Sequence, residues 1–206
     1  MNWFPDMGSV TLVDAGEHIR AVGWLSAEHS FTQGGVSTTF LERLWQFAKN
    51  WRESTTALGW SFYMGSQTCA LCEMGPPPWR RFRAAGNLGV PSAGLLFVAP
   101  EMIAHYVEVH RYRPPDEFIA AVMASPLPGT KEYRVVAEPF RLLHEQHRER
   151  QVQVQIEEAA RWAVASGGSE EAISEAGVRF LGTGSLGDQI RRAMVGICEG
   201  TGEKRN

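Results

Sequence analysis

Cys69 and Cys72 stand at a C-x-x-C spacing, and His105 and His110 follow further along the chain. Four such side chains meeting at one ion tie two remote stretches together, and that limits the fold more than any other feature of the sequence. Structural zinc takes four tetrahedral ligands, and two Cys thiolates with two neutral imidazoles are a standard set. C-x-x-C lets two sulfurs of one tight turn reach the same ion, and Gly75 gives the chain room to turn away. His105 and His110 lie five residues apart, within the range used by paired histidine ligands. Between the two halves, Asn87 to Val90 and Leu95 to Ala99 read as a hairpin around Pro91-Ser92-Ala93-Gly94. Pro suits the second position of a type I turn, and Gly suits the left-handed residue after it. Pro100 then reads as the first residue of a helix running to about Tyr112, stopped by Pro114-Pro115. Knuckle, hairpin and helix is the order in which zinc-finger and treble-clef folds gather two ligand pairs.

The helix sets one condition. At ~100° per residue, positions five apart on an ideal helix point about 140° away from each other. His110 must therefore sit where the helix loosens. Four protein ligands also fill the tetrahedron, leaving no position for the water that a catalytic zinc needs, so the site reads as structural. Taken singly, a C-x-x-C is often two buried cysteines or a redox pair, and two helical histidines are often surface residues. A redox pair should open a helix after a strand, and here Pro76 follows too closely.

The rest of the chain reads as α+β. Residues 10–13 and 19–25 are expected as short strands, and Thr39 opens a helix with Glu42 completing a capping box. Phe40, Leu41, Leu44, Trp45, Ala48 and Trp51 follow a helical period on its core face. Leu58 to Tyr63 reads as a strand leading to the cysteines, and Asp116 to Met123 as a short helix. Ser125-Pro-Leu-Pro-Gly-Thr130 is the best linker, which divides the chain into 1–127, a zinc-stapled domain with N-terminal strands and helix, and 128–206, an all-helical extension. In the extension, 138–165 predicts one long helix, against a strand-like alternation at 151–156. Shorter helices are expected near 169–177 and 187–198.

Charge narrows the function classes. Net charge is −3, with nine basic against eleven acidic residues in 1–127 and eleven against twelve in 128–206. Proteins held on nucleic acid by phosphate contacts carry a basic excess, and none exists at domain scale. Seventeen of the twenty basic residues are Arg, which a genomic base-composition bias accounts for. No stretch approaches the ~20 apolar residues that span a bilayer. The N-terminus lacks the regions of a signal peptide, so a cytoplasmic location is expected, where thiols stay reduced.

Cys69-Ala-Leu-Cys72, the strand Gly86-Asn-Leu-Gly-Val-Pro91 and above all Ala99 to Val122, with its His-Tyr-x3-His-x-Tyr-x-Pro-Pro-x-Glu-Phe-Ile-x-Ala-Val pattern, resemble a zinc-finger-like family of bacterial proteins known as a domain of unknown function. Ala21-Val-Gly-Trp-Leu25 and the helix after it are also similar to that family. The resemblance covers residues 20–123 and implies zinc but no activity. Ser66-Gln67-Thr68 departs from the family, where His or Pro is expected nearby, and leaves the ligands intact.

Other signals carry less. Gly182-Thr-Gly184-Ser-Leu-Gly187 matches a dinucleotide-binding fingerprint, but too little chain follows for a βαβ unit. His144-Glu145-Gln146-His147 lacks the spacing of a zinc-protease motif and reads as a solvated helix face. Arg80, Arg81, Arg83, Arg111 and Arg113 flank the ligands, with Trp79, Phe82 and Tyr112 between them, and together would form a positive patch able to bind phosphate or stack on bases. The alternative is that the aromatics pack on the hairpin while the arginines are solvated or pair with Glu73, Glu101 or Glu108. His18 and His29 have no assigned role, and Cys198 reads as a small buried residue of the last helix.

These readings lead to a non-enzymatic, zinc-binding interaction or assembly module that meets a protein partner through its C-terminal helices. A nucleic-acid binder using the Arg patch comes second. An enzyme with its site in the N-terminal β region comes last, and a polar cleft near His29 would favour it.

Overall fold

The computed structural model describes residues 3–10, 16–60, 67–72, 82–182 and 187–202, with backbone alone at Gly16 and 198–202. A 3-10 turn, Gly16–His18, leads into strand β1 (Ile19–Ala21), followed by helices α1 (Thr38–Lys49) and α2 (Trp51–Ala57). Strands β2 (Gln67–Thr68), β3 (Arg83–Ala84), β4 (Asn87–Ser92) and β5 (Leu95–Pro100) come next. Helices α3 (Ile103–His110), α4 (Asp116–Ala124), α5 (Lys131–Ala165), α6 (Glu170–Leu181) and α7 (Gly187–Gly202) complete the chain. It is the mixed α+β region followed by helices that the sequence implies. Two compact units result, Met1–Glu145 and Gln146–Asn206.

In the first unit β5 is the centre of a three-stranded sheet of order β1-β5-β4, parallel to β1 and antiparallel to β4. Leu96, Phe97, Val98 and Ala99 are all buried, as expected of a strand covered on both faces. Pro91 pairs with Leu96 on β4, an edge strand, where the missing N–H costs little. The hairpin turn is tighter than expected. Ser92 pairs with Leu95, so only Ala93 and Gly94 form the loop, and Gly94 takes φ +74°. Pro100 ends β5 instead of opening a helix, which begins at Ile103. The second sheet joins β2 and β3 antiparallel.

Other boundaries move for local reasons. Ser37 caps α1 through its side chain, which accepts from the Phe40 N–H, so the helix starts before Thr39 and the capping box with Glu42 is not used. Phe40, Leu44, Phe47 and Ala48 face the core, and Trp51 is buried on α2. Leu58 is the C-cap of α2 and Gly59 turns at φ +67°, so this part of the expected strand is a helix end. Residues 61–63 lie outside the described residues, as do residues 11–13. β1 is shorter than 19–25 because Gly23 turns at φ +72°, where a Cβ would meet Ile103 side-chain carbons at 2.8 Å.

α5 is one helix of 35 residues with Pro139 inside it. It starts earlier than expected, and the strand-like 151–156 is helical, exposed except at Ile156. Tyr133, Ala137 and Phe140 belong to the core of the first unit. In the second unit Ala159, Ala160, Ala163, Ile173, Ala176 and Ile190 form a separate core, in which four alanines stand beside two isoleucines. Phe180 and Leu181 lie in α6, and Gly182 caps it at φ +67°. A strand therefore does not precede the Gly-rich sequence, which joins two helices; residues 183–186 lie outside the described residues. Among the described residues, no helix is long and apolar enough to cross a membrane.

Candidate metal centre

Two stretches far apart in sequence carry the four ligands. β2 ends at Thr68, and the Cys69 N–H donates to the Phe82 carbonyl at 3.0 Å, pinning the cysteine turn to the start of β3. The second pair rides on α3, which follows β5 directly. His105 lies within the helix, and His110 is its last residue. Arg111 then takes the left-handed conformation, φ 56° and ψ 27°, and ends the helix. The end of the helix thus meets the condition set by the five-residue spacing.

The four donor atoms all lie within 4.8 Å of one another. Cys69 Sγ is 3.3 Å from His110 Nε2, and Cys72 Sγ is 3.3 Å from His105 Nε2 and 3.5 Å from His110 Nε2. The two Nε2 atoms are 3.2 Å apart. With Zn–S of ~2.3 Å and Zn–N of ~2.05 Å, a regular tetrahedron has S···N edges of about 3.6 Å and an N···N edge of about 3.3 Å. Four of the six edges, those that join the sulfurs and nitrogens just named, lie within a few tenths of an ångström of these. Cys69 and His105 are buried, while Cys72 and His110 are half-buried, so an ion here would be shielded on one side.

Burial shapes the protonation of the set. It lowers His105 to about 4, with the neighbouring His110 adding to the effect, and it lowers His110 as well. Both imidazoles are therefore neutral and free to donate a lone pair. Burial raises the Cys69 thiol to about 11, and Cys72 adds to the rise against backbone N–H bonds that oppose it. A thiolate there calls for a cation close by, and a metal supplies one. Phe82 supports the site: its ring stacks on His105 at 4.6 Å and 4°, and Trp45 packs edge-on against Phe82 at 5.8 Å. Only the aromatic residue beside β3 hinted at this.

Three of the five arginines, Arg83, Arg111 and Arg113, lie among the described residues. Arg113 donates to Asp116 at 2.6 Å and to the Gly35 carbonyl at 2.8 Å. Arg83 and Arg111 are exposed on segments that flank the ligands. Arg80, Arg81 and Trp79 lie outside the described residues. On α5, Arg141 bridges Glu138 and Glu145 and His147 contacts Gln151, while His144, Glu145 and His147 are half-buried, so this face is less solvated than expected.

No curated protein and no solved structure matches the chain. A family model does match, over residues 2–123, the segment that holds all four ligands, and the chain belongs to that family, described as a domain of unknown function (DUF7919).

Proposed function

We propose that Cys69, Cys72, His105 and His110 hold one structural zinc ion, and that the chain is a non-enzymatic interaction or assembly module working among reduced thiols in the cytoplasm. The observation that carries this is the closed donor set: four protein ligands gathered within 4.8 Å of one another leave no coordination site for a substrate or water. The metal clips the cysteine turn to the end of α3, and the helices beyond provide the surface for a protein partner. Val152, Val154, Val178 and Val195 are exposed on these helices.

Elemental analysis of purified protein tests the metal. One zinc per chain is expected, lost in Cys69→Ser and on prolonged chelation, with a large drop in the unfolding midpoint because structural zinc contributes folding free energy. Full metal content in Cys69→Ser would falsify the assignment. Steady-state turnover of a nucleotide, peptide or ester that disappears on changing one pocket residue would sink the non-enzymatic reading. Arg83 and Arg111, exposed beside the centre, favour nucleic acid as the second reading. It requires binding that falls steeply with salt and weakens when both are reversed in charge.

A further inference from the structure

A cavity of about 390 Å³ opens in the first unit, lined chiefly by Trp3, Phe4, Asp6, Ser30, Phe31 and Thr32. Its volume falls in the ~300–1,000 Å³ range of small-molecule sites. None of the four metal ligands lines it. His29 stands at its edge, stacked on Trp3 with ring centroids 4.0 Å apart and planes 12° from parallel.

Among the described residues, Asp6 is the one ionisable side chain in the lining, and it is rigidly held. The Tyr112 hydroxyl donates to both of its carboxylate oxygens at 2.8 Å, and the Gly23 N–H donates to one at 2.9 Å. Tyr112 itself is fully buried, with Phe31 packed edge-on against it at 6.1 Å. Among the described residues, no Lys, Arg or His pairs with Asp6. Among the described residues, the lining therefore presents one fixed negative charge and three aromatic side chains, with no positive charge to balance them.

That combination selects the ligand. An anion would meet the carboxylate with nothing to hold it. A neutral apolar molecule would displace water from the carboxylate without replacing its hydrogen bonds, which is costly. Calcium or magnesium needs about six oxygen ligands, and one carboxylate among rings does not supply them. An alkylammonium head is attracted both by the carboxylate and by the negative faces of aromatic rings. Among the described residues, neither Ser30 nor Thr32 is hydrogen-bonded to a histidine, so the lining offers no activated nucleophile. We propose that this cavity binds a small organic ammonium compound, with Asp6 as counter-ion and Trp3, Phe4 and Phe31 as its aromatic walls.

The test is calorimetric titration of the full-length, metal-loaded protein with choline and with its neutral isostere 3,3-dimethylbutan-1-ol, at constant ionic strength and against potassium chloride. Saturable millimolar or tighter choline binding is expected, with the isostere at least about tenfold weaker. Asp6→Asn and Trp3→Ala should each weaken choline about tenfold, while metal content and circular dichroism stay unchanged. No choline heat above the potassium control, equal binding of the isostere, or choline affinity untouched by both variants would overturn the proposal. Should Asp6→Asn lose its fold, Trp3→Ala decides, because the Trp3 side chain is 40% exposed and its removal spares the core. Metal content is read separately, so failure here leaves the zinc assignment standing.

Discussion

Ending the chain at residue 127, before α5, removes three residues that the first unit uses as core. Tyr133 and Ala137 are fully buried, and Phe140 is 9% exposed. Replacing a buried aromatic by alanine costs ~3–5 kcal/mol, so losing two of them costs roughly 6–10 kcal/mol before any relaxation. Typical domain stabilities are only about 5–15 kcal/mol. The Tyr133 hydroxyl also ties α5 to the sheet: it donates to the Gly89 carbonyl at 2.8 Å and shares a hydrogen bond with Ser54 Oγ at 2.7 Å. Chains 1–127, 1–145 and 1–206 should be compared by urea unfolding, followed by tryptophan fluorescence and far-UV circular dichroism, each loaded with equimolar zinc. The expected result is a cooperative transition for 1–145 and either none or a far lower midpoint for 1–127. If 1–127 unfolds cooperatively at the midpoint of 1–145, the first turns of α5 are not core, and the reasoning fails.

Three smaller changes probe the same physics. Tyr133→Phe should cost only about 1 kcal/mol in denaturant unfolding, because Ser54 Oγ can still accept from the Gly89 N–H and turn its own hydrogen to the Gly89 carbonyl. Adding Ser54→Ala removes that rescue, so the double variant should lose more than the sum of the singles. Burial holds the Tyr133 hydroxyl neutral well above the ordinary tyrosine value of 10.0, and the same cause raises Tyr106 and Tyr112. A folded-state value above the unfolded one gives stability that is complete below pH 10 and declines as pH rises beyond it. Thermal melts should show this alkaline decline in the full-length protein, and a melting temperature that stays flat above pH 10 would contradict it. Arg111→Gly should stabilise by up to about 1 kcal/mol, since Arg111 holds φ 56° at a helix C-cap where glycine is unstrained; destabilisation would mean that its side chain holds the His110 turn.

The candidate four-donor cluster was legible because its information is local. C-x-x-C, a hairpin of matched strands and a helix bearing two histidines each show in a short window, and strand pairing from Asn87 to Pro100 closes the distance between them. The exact device at His110 was not legible. An arginine in the left-handed region leaves no glycine signal, so Pro114-Pro115 points to a helix end near Tyr112, just beyond the actual end at His110. The cavity was invisible for a different reason. Asp6 meets Tyr112 across 106 residues of sequence, and neither residue type carries a spacing rule that could join them.

The start of α5 shows most clearly where composition misleads. Ser125 to Thr130 has the Pro and Gly content of a linker, and sequence reading treats such content as a sign that contacts stop. Here the same residues make a tight turn. Gly129 takes φ +93°, and the Thr130 hydroxyl accepts from the Tyr133 N–H at 3.1 Å, capping the new helix within the turn. Pro and Gly report how the backbone bends, and a bend can deliver the next side chain into a core as readily as it can release the chain from one. What decides between the two is whether the domain before the bend has an unfilled place beside Phe47, Ser54 and Gly89 for an aromatic ring. That place is built from α1, α2 and β4, elements whose contacts with Tyr133 span 44 to 86 residues. A boundary drawn from composition therefore marks a change of direction in the chain, while the boundary of the core lies where the last buried aromatic of α5, Phe140, has been placed.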